Sequence, residues 1–300
     1  MPRKLLRSRT EYVAFYLTYA VLRILPYSFA AWLLTQLTVF TGMRLGLRRK
    51  LVHRNMHRVF PDWTEHRLKS QMRAHYRHVG LTLSEIYLTR GDQLVRRVRP
   101  EGWENIEKAL ALGRGVIVMS AHQGNWELCG RYMARRGLTL QAYIKHQRNP
   151  WFDRFTWRLR ASAGIGQIFT SQSLRPVLRS LRNNEIVVFL ADQYAGKEGV
   201  RMSFLDSDAS VHTGPVRVAL RTGSPIVFTF GMRNPDGSHI LSFDEPIFPQ
   251  SGSGDDADVD KLTRRLADRM EERIRACPSQ WLWMHNRWKN PTRARPQAKG

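Results

Sequence analysis

A histidine and a glutamate five residues apart are the leading candidates for acid–base chemistry in this chain. His122 and Glu127 lie in the stretch SAHQGNWE at 120–127. On one continuous helix their side chains would point about 140° apart, because a turn takes 3.6 residues. A turn at His122, with Gly124 giving backbone freedom, would let a carboxylate in the first turn of the next helix reach the imidazole. We therefore expect Glu127 to fix the tautomer of His122, which acts as a general base.

The surroundings of His122 indicate a reaction that needs a base but no enzyme nucleophile. The chain has no GxSxG sequence, and Cys129 lies beyond the turn, where a buried thiol is expected. A hydroxyl group that is losing its proton can attack an activated donor, such as a thioester, directly. The developing oxyanion then needs donors, and the candidates are backbone N–H groups at the helix N-terminus near Gly124 and Asn125, or an arginine from elsewhere in the chain. The alternative is that His122 has a purely structural role.

Short apolar runs alternating with amphipathic stretches predict the elements that position His122. Strands are predicted at 116–119, 138–144, 186–190 and 226–230, and helices at 126–136, 174–182, 215–221 and 259–274. This alternation favours an α/β fold with a mostly parallel central sheet flanked by helices. Ligands of such sheets bind beyond the carboxyl ends of the strands, which is where His122 falls.

The N-terminal region is predicted to attach the protein to a membrane. Residues 24–43 carry no charge and are about as many as a bilayer span needs. Basic residues on both sides leave the orientation open. A segment lying in the interface, or two helices divided near Arg23 and Pro26, fits equally well, and a buried hairpin of a soluble protein is the alternative. The predicted segments are membrane-associated helices at 1–50, an α/β domain at 51–290 and a basic tail at 291–300.

The charge of the chain favours an anionic partner. Lys and Arg number 48 against 25 Asp and Glu, which gives a net charge of +23. Nine Trp and thirteen Phe favour a lipid, although a cluster of three tryptophans is expected mainly to pack in the C-terminal part of the fold: Trp281, Trp283 and Trp288. A nucleic-acid-binding protein is a remote alternative, because the basic residues are spread along the chain without a recognised binding motif. Two cysteines form no metal-binding pattern, so we expect no metal and a reducing compartment.

Five stretches, in chain order, resemble the lauroyl/myristoyl acyltransferases of bacterial lipid A biosynthesis, within the wider glycerolipid acyltransferase group. The first is AHQGNWELCG at 121–130, which carries the HxxxxD/E pattern of that group. The others lie at 144–164, 181–196, 212–215 and 277–291. The apolar N-terminus followed by RRKLVHRNMHRVFP at 48–61 is also similar, so the resemblance spans nearly the whole chain.

The resemblance implies an O-acyltransferase in which His122 is the base and Glu127 its partner. Within NPWFDRFTWRLR it points to Arg160 as a site arginine that steadies the acyl carbonyl or a substrate phosphate. Arg158 is the alternative assignment, and a solvated arginine is the structural alternative for Arg160.

Four further polar residues are predicted to contact substrate. Asp192 and Gln193 match an Asp-containing turn of the family, and Asn149 matches its Asn-Pro turn. Asn125 adjoins the HxxxxD/E pattern. The alternative for Asp192 and Gln193 is that they only cap a turn between a strand and a helix.

The resemblance also implies the substrates. Members of the family take the acyl chain from acyl carrier protein, an acidic partner, and place it on a hydroxyl of a phosphorylated disaccharide lipid, the lipid A precursor. No cofactor is expected beyond this co-substrate, and the expected location is the cytoplasmic face of the bacterial inner membrane. Another acceptor is an open alternative: a lysophospholipid, a mannosylated phosphoinositide or an ornithine lipid. A membrane-associated scaffold with an inactive site is a further one.

Overall fold

The computed structural model describes residues 2–196, 199–249 and 256–289, so the predicted tail at 291–300 lies outside the described residues. The helices are α1 (Pro2–Ile24), α2 (Tyr27–Met43), α3 (Arg49–Val59), α4 (Glu65–Leu88), α5 (Trp103–Leu110), α6 (Trp126–Arg135), α7 (Pro150–Ser162), α8 (Arg175–Arg182), α9 (Gly214–Thr222) and α10 (Asp256–Ala276), with short 3₁₀ helices at Val95–Arg97 and Pro278–Gln280. The strands are β1 (Val98–Glu101), β2 (Val116–Ser120), β3 (Leu140–Ile144), β4 (Ile165–Phe169), β5 (Ile186–Leu190), β6 (Val200–Phe204), β7 (Ser207–Val211), β8 (Ile226–Arg233) and β9 (His239–Phe243).

Seven of these strands form one central sheet in the order β1-β9-β8-β2-β5-β3-β4. Every neighbouring pair is parallel except β8 with β9. Strands β6 and β7 form a separate antiparallel ribbon. The predicted α/β fold with a mostly parallel sheet is confirmed, and the four predicted strands correspond to β2, β3, β5 and β8.

The centre of the sheet is made by apolar strands that are covered on both faces. All five residues of β2 are buried. Ile117 and Met119 join one apolar cluster, whereas Val116 and Val118 join another. Successive side chains of a strand point to opposite faces, so the two clusters are the two layers that enclose the sheet. A continuous apolar run such as this one is typical of a buried parallel strand.

The register of the central strands determines which loop residues meet at the carboxyl edge of the sheet. In the parallel pair of β2 and β5, Ser120 lies opposite Leu190. The two chains therefore leave the sheet side by side, and residues two positions further on remain neighbours.

The N-terminal region forms two helices instead of one. Helix α1 ends at Ile24 and α2 begins at Tyr27, as the predicted division near Arg23 and Pro26 requires. Helix α2 packs closely on α4: a Cβ added to Gly80 would overlap the backbone of Thr35. None of the helices in the described parts of the chain combines the length and the apolar character needed to cross a bilayer. Membrane attachment through this region stays a prediction.

Candidate active site

His122 and Asp192 meet at the carboxyl edge of the sheet. His122 follows β2 by two residues and Asp192 follows β5 by two residues, so the register of the strands brings them together. The Nδ1 atom of His122 lies 2.8 Å from Oδ1 of Asp192. The other carboxylate oxygen accepts a hydrogen bond of 2.8 Å from Nε1 of Trp281. The side chain of Asp192 is only 2% exposed, whereas that of His122 is 20% exposed.

The carboxylate bonded to the imidazole is therefore that of Asp192, and the predicted contact with Glu127 is wrong. Glu127 is the second residue of α6, and its carboxylate reaches α7, where it accepts hydrogen bonds from Arg160. Nε of Arg160 lies 3.1 Å from each oxygen, and its Nη2 also donates to Oε1. Of the two arginine assignments, the geometry favours Arg160, because Arg158 is exposed on a different side of α7.

Both carboxylates are ionised at neutral pH. Burial alone would raise the pKa of Asp192, but the electrostatic interaction and hydrogen bond with His122, together with the Trp281 N–H, lower it to about 2. Burial also acts to raise the pKa of Glu127, and the guanidinium of Arg160 outweighs it, so the net shift is downward. Burial lowers and the Glu127 carboxylate raises the pKa of Arg160, with a net rise. A fixed ion pair thus lies beside the His–Asp pair.

The turn that carries His122 is held by backbone hydrogen bonds on both sides. The N–H of Gly124 donates to Gln280 O at 2.9 Å, and that of Asn125 donates to Gly231 O at 2.7 Å. Both N–H groups already have carbonyl partners, so Gly124 and Asn125 are not free to donate to an oxyanion. The other candidate donor, an arginine, stays a prediction. The expected need for glycine is confirmed: Gly124 has φ of +60°, and an added Cβ would overlap the carbonyl of Gly231.

The two predicted asparagines cap helices. The side-chain oxygen of Asn125 accepts from Leu128 N at 3.0 Å at the start of α6. That of Asn149 accepts from Trp151 N at 3.1 Å at the start of α7, while its amide donates to Ser8 O. Both side chains therefore use polar atoms to hold the starts of α6 and α7 in place. Substrate contact by either residue stays a prediction.

Gln193 lies beside the imidazole. Its Nε2 atom is 3.3 Å from Nδ1 and 3.5 Å from Nε2 of His122. Because Nδ1 donates to the ionised carboxylate of Asp192, the imidazole presents Nε2 as its acceptor. The Gln193 amide is thus a polar donor next to the atom at which a proton would be taken up.

A buried ionic network lies behind the turn that carries His122, and the sequence did not predict it. Glu85 of α4 accepts from Arg233 at the end of β8, with Nε to Oε1 at 2.9 Å and Nη2 to Oε2 at 2.5 Å. The amide of Asn125 donates to the same carboxylate at 2.8 Å. Burial alone would raise the pKa of Glu85, but hydrogen bonds from His239 and Arg233 lower it to about 2. No local signal in the sequence pointed to this pair, because the buried face of α4 also carries the polar side chains of His75, His78 and Thr82.

The tryptophan cluster is packed in the core, as expected: Trp281, Trp283 and Trp288 are all buried. The hydrogen bond from Trp281 to Asp192 was not predicted, because nothing in the sequence indicates that these segments meet. The backbone of this segment also contacts the site, since Leu282 N donates to the carbonyl of His122 at 2.9 Å. In the described parts of the chain no group of three or more His, Cys, Asp or Glu side chains is arranged to hold a metal ion.

Fold and site together define an α/β enzyme with a histidine–carboxylate pair at the carboxyl edge of a parallel sheet. Residues 2–290 match the family described as bacterial lipid A biosynthesis acyltransferase. The chain belongs to this family, and it is an O-acyltransferase.

Curated relatives cover most of the chain. It is 25% identical over 277 residues to the lipid A biosynthesis lauroyltransferase of Escherichia coli K12, which covers 86% of this chain and 88% of that protein. It is 26% identical over 273 residues to the palmitoleoyltransferase of the same organism, with 88% and 86% covered. It is also 27% identical over 194 residues to a phosphatidylinositol mannoside acyltransferase of Mycobacterium tuberculosis H37Rv. That match covers 62% of this chain, which spans only 58% of the length of that relative.

Proposed function

We propose that the protein transfers a fatty acyl chain from the thioester of acyl carrier protein to a hydroxyl of a lipid A precursor, with His122 as the general base. The observation that carries the proposal is the hydrogen bond of 2.8 Å between His122 Nδ1 and Asp192 Oδ1. A proton held on Nδ1 leaves Nε2 as a base, and the buried carboxylate stabilises the imidazolium that forms.

The reaction proceeds by direct attack. The acceptor hydroxyl loses its proton to Nε2 of His122 while its oxygen attacks the thioester carbonyl carbon. When the tetrahedral intermediate collapses, the C–S bond breaks and the imidazolium returns the proton to the thiolate. No covalent enzyme intermediate is required, because the thioester is already activated. A general base of this kind contributes about 10² to 10⁴ in rate.

The Glu127–Arg160 pair supplies a fixed positive group near the reacting atoms. Glu127 holds Nε and Nη2 of the guanidinium, so Arg160 keeps one orientation between α6 and α7. A preorganised charge of this type stabilises an oxyanion without reorganising during the reaction. We assign Arg160 and the amide of Gln193 to the acyl carbonyl oxygen or a substrate phosphate. Glu127 thus acts by positioning Arg160 instead of by contacting His122.

The charge of the chain suits both substrates. Acyl carrier protein is acidic and a lipid A precursor is phosphorylated, so a net charge of +23 favours the approach of each. A second acceptor is favoured by one observation: the chain is 27% identical to a phosphatidylinositol mannoside acyltransferase over 194 residues. The chemistry at His122 is the same for a lysophospholipid, a mannosylated phosphoinositide or an ornithine lipid, so only an assay separates them.

The N-terminal helices carry the apolar surface that suits attachment to the cytoplasmic face of the inner membrane. Helix α2 contains no charged residue. One of its faces packs on α4, and the other exposes five large apolar side chains at helical spacing: Phe29, Trp32, Leu33, Leu37 and Phe40. Helix α1 exposes a similar set at the same spacing: Val13, Tyr16, Leu17, Val21 and Ile24. Such faces bury themselves at the boundary between headgroups and acyl chains.

The direct test is acyl transfer by the purified full chain, with acyl carrier protein loaded with a fatty acid and a panel of acceptors. We expect transfer to a lipid A precursor in the wild type and a loss of about 10² to 10⁴ in kcat in His122→Ala. Glu127→Ala should lose most turnover as well, because it frees Arg160. Near-ultraviolet circular dichroism checks that both variants are folded. Wild-type turnover in His122→Ala would refute the mechanism.

The acceptor is tested in cells by mass spectrometry of lipid A with and without the protein. The proposal predicts lipid A species that lack one acyl chain when the protein is absent. An unchanged lipid A profile, together with transfer in vitro to a mannosylated phosphoinositide or a lysophospholipid, would establish the second acceptor instead.

A further inference from the structure

A cavity separate from the His122 site lies among the first helices. Its volume is about 520 Å³, within the range of small-ligand sites, and six residues of α2, α3 and α4 line it: Met43, Arg49, Lys50, His53, Lys69 and Met72. None of the site residues described above contributes to its wall. It is therefore a second concave site.

The lining combines two chemical characters. Met43 and Met72 provide flexible apolar walls, which adapt to hydrocarbon. Three basic side chains surround them, Arg49, Lys50 and Lys69, and none of the three takes part in an ion pair found among the described residues. Arg49 donates to the carbonyl of Met43 at 3.0 Å, which holds its guanidinium at the cavity. The lining carries no acidic side chain.

The remaining polar member of the lining is already partnered. Nε2 of His53 lies 3.0 Å from a carboxylate oxygen of Glu65. The Glu65 carboxylate is outside the lining and pairs with His53, so it does not neutralise Arg49, Lys50 or Lys69. These three side chains can therefore bind an anion. Two lysines that are exposed and without an ion-pair partner suit a phosphate, since each presents three N–H donors.

The cavity lies beside the apolar surface of the N-terminal helices. Met43 is the last residue of α2, and Phe40, Leu45 and Leu47 nearby in the chain are all exposed. A molecule held by its hydrocarbon part at Met43 is therefore next to the surface proposed to enter the bilayer. An apolar wall, a cationic rim and an adjoining apolar surface together match an amphiphile with one anionic headgroup.

We propose that this cavity binds a phosphate-bearing lipid, with the phosphate on Arg49, Lys50 and Lys69 and the start of an acyl chain between Met43 and Met72. The site is an additional one and does not depend on the reaction assigned to His122. Its occupant would also stabilise the position of α3, whose Asn55 donates to Trp283 O and His285 O, each at 2.9 Å, in the segment that supports Asp192.

The test uses the full chain in a non-ionic amphipol, without acyl donor, with carbon-13 labelled methionine methyl groups. Met43→Leu and Met72→Leu assign the two signals. Dihexanoyl phosphatidic acid should shift both signals saturably, whereas inorganic phosphate and dihexanoyl phosphatidylcholine should bind at least tenfold more weakly. In Lys50→Gln/Lys69→Gln the affinity for dihexanoyl phosphatidic acid should fall at least tenfold.

A matched variant separates a built site from the general charge of the protein. Lys108→Gln/Lys261→Gln removes two exposed lysines from α5 and α10, neither of which lines the cavity, and should keep the affinity within twofold. An equal loss in both double variants would overturn the proposal. If inorganic phosphate shifted both methyl signals with the same affinity as dihexanoyl phosphatidic acid, the cavity would be an anion site only, and the proposal would be overturned. If dihexanoyl phosphatidylcholine bound as tightly as dihexanoyl phosphatidic acid, the cavity would be an apolar site only, and the proposal would also be overturned. None of these outcomes bears on transfer at His122, which is measured separately.

Discussion

At the residue scale, the identity of the carboxylate that is hydrogen-bonded to His122 determines how the proposed base would work. The imidazole needs an anion on Nδ1 so that Nε2 can take and return a proton. Asp192 meets this need at 2.8 Å and is held in turn by Trp281. The carboxylate of the HxxxxE pattern instead fixes an arginine. The pattern thus contributes two groups to the site, but they belong to two different pairs.

Replacing Asp192 with asparagine removes the charge and keeps the size of the side chain. We expect Asp192→Asn to lower kcat by about 10²-fold or more, because the imidazolium loses its counter-ion and the tautomer is no longer fixed. The measurement is steady-state acyl transfer. The matched control is Asp153→Asn, since Asp153 in the first turn of α7 contacts Nδ1 of another histidine, His146, at 2.7 Å; its kcat should stay within about threefold. Equal losses in both variants would contradict the special role of Asp192.

A substitution of Trp281 tests whether its hydrogen bond to the Asp192 carboxylate matters for the reaction. Trp281→Phe removes the Nε1–H that donates to Oδ2 of Asp192 and keeps an aromatic ring in the core. A hydrogen bond to a charged group contributes about 1.5–3 kcal/mol, and its partner remains buried without it. We expect kcat to fall by about tenfold with a smaller change in KM. The control is Trp283→Phe, whose Nε1 donates to the carbonyl of Pro278 instead; an equal fall in kcat there would indicate a general packing defect.

At the scale of elements, the sequence predicted what each segment becomes better than which segments meet. The apolar runs of β2 and β5 and the helix after Trp126 were predicted within one or two residues, because local patterns determine them. Strand β4 was missed, since Gly166 and Gln167 interrupt its apolar character. The neighbour of β2 was not predictable, because strand order depends on long-range packing. For this reason the sequence predicted the nearby Glu127 as the partner of His122, whereas the structure shows Asp192, which is distant in the sequence.

The same limit explains the network behind the turn. Glu85 and Arg233 are 148 residues apart, and only the fold brings α4 to the end of β8. Capping, by contrast, is local: Asn149 followed by Pro150 is a typical start of a helix, and it begins α7. The prediction that Asn149 contacts substrate came from the family resemblance, whereas the structure shows the Asn149 side chain capping α7.

The turn after β2 is an element whose geometry depends on glycine. In Gly124→Ala the new Cβ would overlap the Gly231 carbonyl, in addition to a cost of about 1–2 kcal/mol for the left-handed conformation. We expect lower thermal stability and a fall in kcat, because the turn that carries His122 has to shift. Gly137→Ala is the matched control: its φ is +85° and nothing lies within 4 Å of the added Cβ, so only the conformational cost applies. Similar losses of stability in the two variants would show that the close approach is unimportant.

At the scale of the whole molecule, the N-terminal helices separate a protein-facing side from an apolar outer side. The inner side of α2 carries small or short residues that allow close packing on α4, among them Ala30, Ala31 and Gly42. The outer side carries the large apolar residues. Contiguous exposed apolar surface of this kind indicates an interaction site, and the substrate assigned to the enzyme is itself a lipid. The proposed attachment surface and the proposed lipid substrate are therefore consistent with one function.

The outer face of α2 can be tested with a pair of substitutions that alters no charge. Leu37 and Phe40 are 48% and 51% exposed, so Leu37→Ser/Phe40→Ser should leave the fold intact. Full burial of such a side chain stabilises by about 1.5–3 kcal/mol, and each side chain is expected to be only partly buried at the membrane interface. Loss of both should therefore weaken binding to phosphatidylglycerol/phosphatidylcholine vesicles at least tenfold. Sedimentation with vesicles measures this. Leu112→Ser/Phe248→Ser makes the same two changes at side chains that are 49% and 59% exposed outside α1 and α2, and vesicle binding should be retained. If the two double variants bound vesicles equally well, α2 would not be the attachment surface.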